Sequence, residues 1–397
     1  MNALGFAWRS LVRQPARASL GILGVAAVGA LLFDMLLLSH GLVLSMRDLL
    51  DSTGFDLRVT ASDALPGQGP ALDDALAATS TIEALPTVRA VIALRFVDAQ
   101  LATTAVSRVR AAFQGVTGNG AHPWTVLRGR DLSGAHELII NESAAQSLDL
   151  NPGARVQLRA SCAENERDAL PPVMFTVAGV ADFPFDSSSG ATVATTIAAL
   201  NEACGAIDAD HADVILVASR EDAGTAAAAA EIANAVPALR VLTNEEAVGR
   251  FERGGFTYFR QISTVLTTVT LFFAVLLITV LLTVSVNQRL GEIAALRALG
   301  FSRWRVVADV LCESALIVGA GGMLSLPFGW LLALGLDAIL KNMPGMPAAV
   351  HFFVFQPSAV GVHAALMVAT ALTAAIYPMQ AVARLPIAAT LRDEVIG

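Results

Sequence analysis

Lysine is nearly missing from this chain: Lys341 is the only one in 397 residues, and Asn342 follows it. A G-x-x-x-x-G-K-[ST] phosphate loop therefore has no place in the sequence, and any ATP-driven work would need a second polypeptide. Charge is sparse as well, at 15% of residues against roughly 25% in soluble domains. With 55% hydrophobic residues and a mean hydropathy of +0.61, the composition points away from a purely soluble protein. Cysteine is limited to Cys162, Cys204 and Cys312, no C-x-x-C occurs, and the six histidines are scattered. No metal or cofactor site is expected from that pattern. Ser143, Ser187 to Ser189, His122 and His211 fall in no nucleophile-elbow context. The chain does not read as an enzyme.

What the sequence has in quantity is long apolar stretches. Ile262 to Val286 runs 25 residues without a charge and Ser314 to Leu336 runs 23. Either is long enough to cross a hydrocarbon core of about 30 Å as a helix. Ala18 to about Met46 and Ala359 to Met379 give two more spans. Charge is divided unevenly among these segments. Arg47 to Arg260 holds 16 arginines and 27 acids, a net −11, while the remainder carries +3. The short segments on one side hold nine arginines, and the short loop on the other holds only Lys341. By the positive-inside rule the arginine-bearing face is cytoplasmic. Both termini then lie inside and the acidic middle lies outside. A single acidic translocated domain does not suit a nucleic-acid binder.

The expected division is a lead-in and first span over 1–46, an α+β domain over 47–256, and a three-span region over 257–397. Within the middle domain, Phe55 to Thr60, Val88 to Ala102, Arg108 to Gly115, His136 to Asn141, Arg155 to Arg159, Met174 to Val180, Val214 to Val217 and Leu239 to Leu242 read as strands. Helices are expected at Ala71 to Leu85, Glu142 to Leu150 and Asp222 to Ala235, with Thr192 to Ala203 changing from strand to helix. The alternation suggests two small lobes of βαβ type. Asp34 lies inside the first span. A carboxylate there either faces a bundle interior or sits near an interface and keeps water. Counting about 25 Å from Arg17 favours the second position. Asp309 and Glu313 fit the inner headgroup zone. Cys162 and Cys204 fall in the translocated domain and would close a loop of about 42 residues, worth about 3–4 kcal/mol if bridged. Spacing does not say whether they meet.

Between the second and third spans lies a basic, helix-prone connector, 288–305. Arg289, Ile293, Leu296 and Arg297 stand at i, i+4, i+7 and i+8, on one stripe of a helix, and Gly300 is a plausible αL stop. Such a helix can offer aliphatic knobs to a cytosolic partner. It can equally be a solvated loop held by snorkelling arginines.

The run EIAALRALGFSRWRVVADVLCESA, Glu292 to Ala315, resembles the signature of the FtsX-like ABC permeases, the MacB/LolC group, on Glu292, Arg297, Ala298, Leu299, Gly300 and Glu313. ARLPIAATLRDE at Ala383 to Glu394 is similar to that family's C-terminal pattern, and WRSLVRQPARASLGILG near the N-terminus to its lead-in and first span. Gly129 to Leu158, followed by FTVAGV at Phe175 to Val180, resembles the extracytoplasmic domain of MacB-like permeases. The resemblance implies an α-helical membrane protein with four transmembrane helices and an α+β extracytoplasmic domain of two lobes inserted between the first and second. It implies that Arg289, Glu292, Ile293, Leu296, Arg297, Leu299 and Gly300 form a coupling helix seated on a separate cytosolic ABC ATPase, present in two copies. A second permease copy, as homodimer or paralogous heterodimer, is implied too, with a periplasmic adaptor or carrier protein and membrane lipids as further partners. The implied location is a bacterial inner membrane, and the implied task is moving a lipid, lipoprotein, peptide or drug. Unlike MacB, this sequence has no fused nucleotide-binding domain before its first span; unlike FtsX, its outer domain is large. The rival reading is a membrane-anchored sensor or structural scaffold that translocates nothing.

Overall fold

In the computed structural model a single helix, α1, runs from Pro15 to Ser52 without interruption. Proline at the first helical position costs nothing, because its missing N–H would have no partner there. At about 1.5 Å per residue α1 is about 57 Å long, well beyond a hydrocarbon core. Its end is set locally. Ser52 Oγ donates to Leu49 O and Thr53 Oγ1 to Leu50 O, both at 2.7 Å, and Gly54 then takes a left-handed φ of 76°, which favours glycine. The structure describes residues 5, 9, 12, 13, 15–64, 69–103, 108–117, 122–160, 171–186, 190–206, 209–254, 257–288, 290–291, 302–341 and 349–383.

The chain divides into two compact units: Val43–Gly255 with Ile339–His351, and Met1–Leu42 with Phe256–Ala338 and Phe352–Gly397. In the first unit the elements follow as β1 (Leu57–Thr60), β2 (Leu72–Asp73), α2 (Ala75–Glu83), β3 (Val88–Ala102), β4 (Arg108–Val116), β5 (Thr125–Gly129), β6 (Glu137–Ile140), α3 (Glu142–Leu148), β7 (Arg155–Ala160), β8 (Val173–Asp182), β9 (Ala191–Thr196), α4 (Ile197–Ala203), β10 (His211–Ala212), β11 (Val214–Ser219), α5 (Thr225–Ala235), β12 (Arg240–Thr243) and α6 (Asn244–Gly254).

One sheet holds ten of these strands in the order β12-β1-β11-β3-β4-β9-β6-β8-β5, with β7 bridging β3 and β8. The 15-residue β3 organises it. Its first half pairs with β11, from Val88 opposite Ser219 to Leu94 opposite Val214. Its second half pairs with β7, Ala99 opposite Ala160, on the same edge. Because β7 also pairs with β8, the path β3-β4-β9-β6-β8-β7 returns to β3 and closes a small barrel with no free edge. Phe113, Leu138, Val156 and Phe175 fill it, with Ala144 and Leu148 of α3 and Leu200 of α4 in the same core. On the open half, Ile82 of α2 and Ile232 of α5 pack with Val59, Val88 and Ile215.

The expected two lobes are a closed barrel and an open half that share β3, packed around three hydrophobic cores. Their pairing is only partly of βαβ type: β4–β9 and β6–β8 are parallel, with α3 between β6 and β8, and the other pairs among the described strands are antiparallel. The helix expected from Ala71 is preceded by the short β2, which pairs with β10. The α3 start follows its local chemistry, since Asn141 Oδ1 accepts from Ala144 N at 2.8 Å, a cap that satisfies a free helix donor.

The second unit is helical. It holds the first part of α1 with α7 (Thr257–Asn287), α8 (Arg303–Leu340) and α9 (Pro357–Ala383). Among the described residues, four segments are long and apolar enough to cross a membrane: Ala18–Ser52, Gln261–Asn287, Leu311–Leu340 and Pro357–Gln380. Val25 and Leu32 of α1 meet Ile278 and Leu282 of α7, Val318 of α8 and Met367 of α9 in one core. Large apolar side chains cover the outside, among them Phe272 at 63% exposure and Met323 at 77%. Helices held together without a hydrophobic driving force need close backbone approach, and α1 and α8 achieve it through small residues four apart. A Cβ added at Gly321 would lie 2.7 Å from Val25, one at Gly29 would lie 2.8 Å from Ser325, and one at Gly329 would lie 2.9 Å from Ala30 O. Gly319, by contrast, meets nothing within 4 Å.

Candidate functional site

The connector residues Arg289, Glu292, Ile293, Leu296, Arg297, Leu299 and Gly300 lie outside the described residues. The helices on either side of them are described. α7 ends at Asn287 and α8 begins at Arg303, so the connector is short. Ser285, on the last turn of α7, donates through Oγ to Glu313 Oε1 of α8 at 3.1 Å. Both side chains are buried, Ser285 at 5% and Glu313 at 8% exposure. Glu313, expected at the headgroup level, ties together the two helices that bracket the connector. A buried carboxylate needs hydrogen-bonded company, and the serine 28 positions earlier supplies part of it. Sequence spacing did not pair them, because the contact depends on how α7 and α8 turn toward each other.

A second polar group lies inside the helical unit. Asp34 is fully buried, and neither carboxylate oxygen has a hydrogen-bond partner among the described residues. The expectation that it keeps water at an interface is thus corrected: α1 turns this face inward. Nearby in the same unit, Ser325 donates to Gly322 O at 2.7 Å and lies 2.8 Å from His363 Nε2. Nδ1 of His363 is buried and has no hydrogen-bond partner among the described residues. Phe33 meets the His363 ring edge-on at 5.4 Å between centroids. The buried polar residues of α1, α8 and α9 therefore face the bundle interior, as intramembrane polar groups do. The side chain of His40 is not described.

In the α+β unit the loop that resembles the MacB-like pattern is held by charge. Glu137 receives Arg130 as an ion pair and also accepts Ser133 N and Gly134 N, both at 3.0 Å. Those bonds, Arg130 first, bring the Glu137 carboxyl down to about 2. Asp131 accepts from Trp124 Nε1 at 3.1 Å and lies 2.9 Å from His122 Nδ1, and the two rings stack at 4.5 Å. Cys204 is buried and disulfide-bonded, whereas Cys312 is free; Cys162 lies outside the described residues.

Residues 264–387 match the family model described as FtsX-like permease C-terminal, and residues 19–235 match the one described as MacB-like periplasmic core domain. Among solved structures, the periplasmic region of MacB from Actinobacillus actinomycetemcomitans is 12% identical. That match covers 50% of this chain and 94% of that one, with a TM-score of 0.40. The extracellular domain of the noncanonic ABC-type transporter YknZ from Gram-positive bacteria is 15% identical over 48% of this chain and 99% of that one, with a TM-score of 0.34. No curated protein sequence matches the chain.

Proposed function

Because this chain belongs to the FtsX-like, MacB-type permease family of ABC systems, as a membrane protein with an extracytoplasmic α+β domain, we propose that it transmits ATP-driven motion from a separate cytosolic ATPase to that domain. The observation that carries the reading is the joint match: one model covers the last three spans and the other runs from the first span through most of the α+β domain. Coupling residues and motor-responsive domain then sit on one polypeptide. In this proposal 1–46, 47–256 and 257–397 act as lead-in and first span, outer domain and permease region. The connector helix carrying Leu296 and Arg297 docks on the ATPase, and two permeases assemble with two ATPase subunits in a bacterial inner membrane, termini inside. Support comes from the arginine-rich inner segments, the Ser285–Glu313 link bracketing the connector, and the continuity of α1 from span to domain. The cargo is a lipid, lipoprotein, peptide or drug, and Cys162 is the partner of Cys204.

The test is Leu296→Asp and Arg297→Glu. Either variant is expected to insert normally, lose co-purification with the ATPase, and lose permease-stimulated ATP hydrolysis. Full binding and stimulation in both would reject the docking role. Docking without any cargo movement would instead favour a regulator of extracytoplasmic partners.

A further inference from the structure

The first unit contains a cavity that none of these roles uses. Its volume is about 340 Å³, at the lower end of the roughly 300–1,000 Å³ typical of small-molecule sites. Leu94 and Phe96 of β3, Leu216 of β11, Leu242 of β12, and Phe183 and Phe185 after β8 form apolar walls. This is the face of the sheet on which Leu94, Leu216, Phe183 and Trp124 make a core without the helices α2 to α5. Leu50 from the last turn of α1 and Ala247 from α6 complete the lining. These two elements are continuous in sequence with the first and second spans.

Three charged side chains also line it: Arg58, Arg250 and Asp63. Arg250 Nη1 lies 2.7 Å from Asp63 Oδ1, on a carboxylate whose side chain is 67% exposed. Arg58 is different. It is 7% exposed, donates through Nη1 to Asn244, and leaves Nη2 buried with no partner among the described residues. Asn244 in turn donates to Asp51 Oδ1 at 2.7 Å, so that carboxylate is linked to the guanidinium through an amide. Burial pulls Arg58 down to about 10, against the opposing pull of Asp51 and Asp56, so it stays cationic at neutral pH. A buried cation with an idle donor beside apolar walls is costly unless an anion completes it.

We infer that this cavity binds a single-chain anionic amphiphile, its carboxylate on Arg58 and its apolar body against Phe96, Leu216 and Phe183. A guanidinium fork matches a carboxylate, and the volume suits one chain and not a multiply acylated lipid. Binding here does not depend on the ATPase proposal. Because Leu50 and Ala247 touch the ligand space, displacement of α1 or α6 reshapes it.

The experiment uses the full-length protein in nanodiscs, without ATPase, and a diazirine-bearing palmitic acid as photoprobe. Labelled peptides are expected to contain Phe96, Leu216 or Phe183 to Phe185. Excess palmitate is expected to compete, and methyl palmitate is not. Arg58→Gln is expected to lower labelling about tenfold, the value of a hydrogen bond to a charged group, and Arg58→Lys to restore part of it. Should Arg58→Gln fail to fold, Phe96→Trp, which fills the cavity, must lower labelling instead. Label confined to the spans, equal competition by the methyl ester, or full labelling of a folded Arg58→Gln or Phe96→Trp protein would each overturn the assignment. ATPase binding is unaffected by these outcomes, so the two proposals fail separately.

Discussion

The two units solve opposite solvent problems. In the sheet unit Phe113, Phe175 and Ile140 are buried and the charged pairs Arg128–Glu142 and Arg130–Glu137 lie at the surface. In the helical unit the order is inverted. Phe272, Met323 and Leu331 point outward, while Asp34, Ser325 and His363 are buried. Apolar exposure on that scale is unstable in water and ordinary in lipid. The comparison teaches that cohesion has different sources: hydrophobic burial and charged hydrogen bonds in one unit, close steric fit in the other.

The largest effect is expected where that fit is tightest. Gly321→Leu places a side chain where even a Cβ would be 2.7 Å from Val25, and overpacking of this kind costs about 1–3 kcal/mol or more. Loss of monodisperse protein after detergent extraction, with Gly319→Leu unaffected, would bear out the α1–α8 contact. Equal tolerance at both positions would break it.

In the sheet unit the levers are electrostatic, and two carboxylates titrate in opposite senses. Glu137 has a folded value near 2 against 4.5 when free. Its stabilisation is therefore present above pH 4.5 and is lost as pH falls toward 2. Glu137→Gln is expected to lower stability at pH 7 by roughly 1–2 kcal/mol, with the difference vanishing near pH 2 in thermal melts. Asp186 is raised to about 6 by burial, against hydrogen bonds from Thr192 and Asn141. Ionisation there opposes folding most fully above pH 6, and the penalty shrinks as pH falls from 6 to 3.8 and is absent below that. Asp186→Asn is expected to stabilise at pH 7.5 by roughly 1 kcal/mol or less and to have no such effect at pH 4. A stabilisation of the same size at both pH values would contradict the burial account.

Legibility in the sequence followed the range of the interactions. The four spans could be read because length and missing charge are local properties. β3 was expected at Val88 to Ala102 and is found over those residues, since β-branched and aromatic residues cluster there between turn signals. The cap at Asn141 was not singled out beforehand, though Asn before an Ala-rich turn is a local signal for one. α6 was missed because Asn244-Glu-Glu reads equally as loop until its amphipathic face meets β12. Barrel closure by β7, the Ser285–Glu313 bond and the inward turn of Asp34 all arise from residues distant in sequence, which no periodicity encodes. The cavity beside Arg58 belongs to the same class, with walls from β1, β3, β11, β12 and α6. Of the candidate site, the proposed coupling residues rest on their stripe and the family likeness.

The account depends on the connector and the sheet unit lying on opposite faces of one membrane. Single cysteines placed at Arg297 and at Glu142 in a cysteine-free background, probed in intact cells with a membrane-impermeant maleimide, test this directly. Labelling at Glu142 with protection at Arg297 until the cells are lysed is the expected result. Labelling of both positions in intact cells would contradict it.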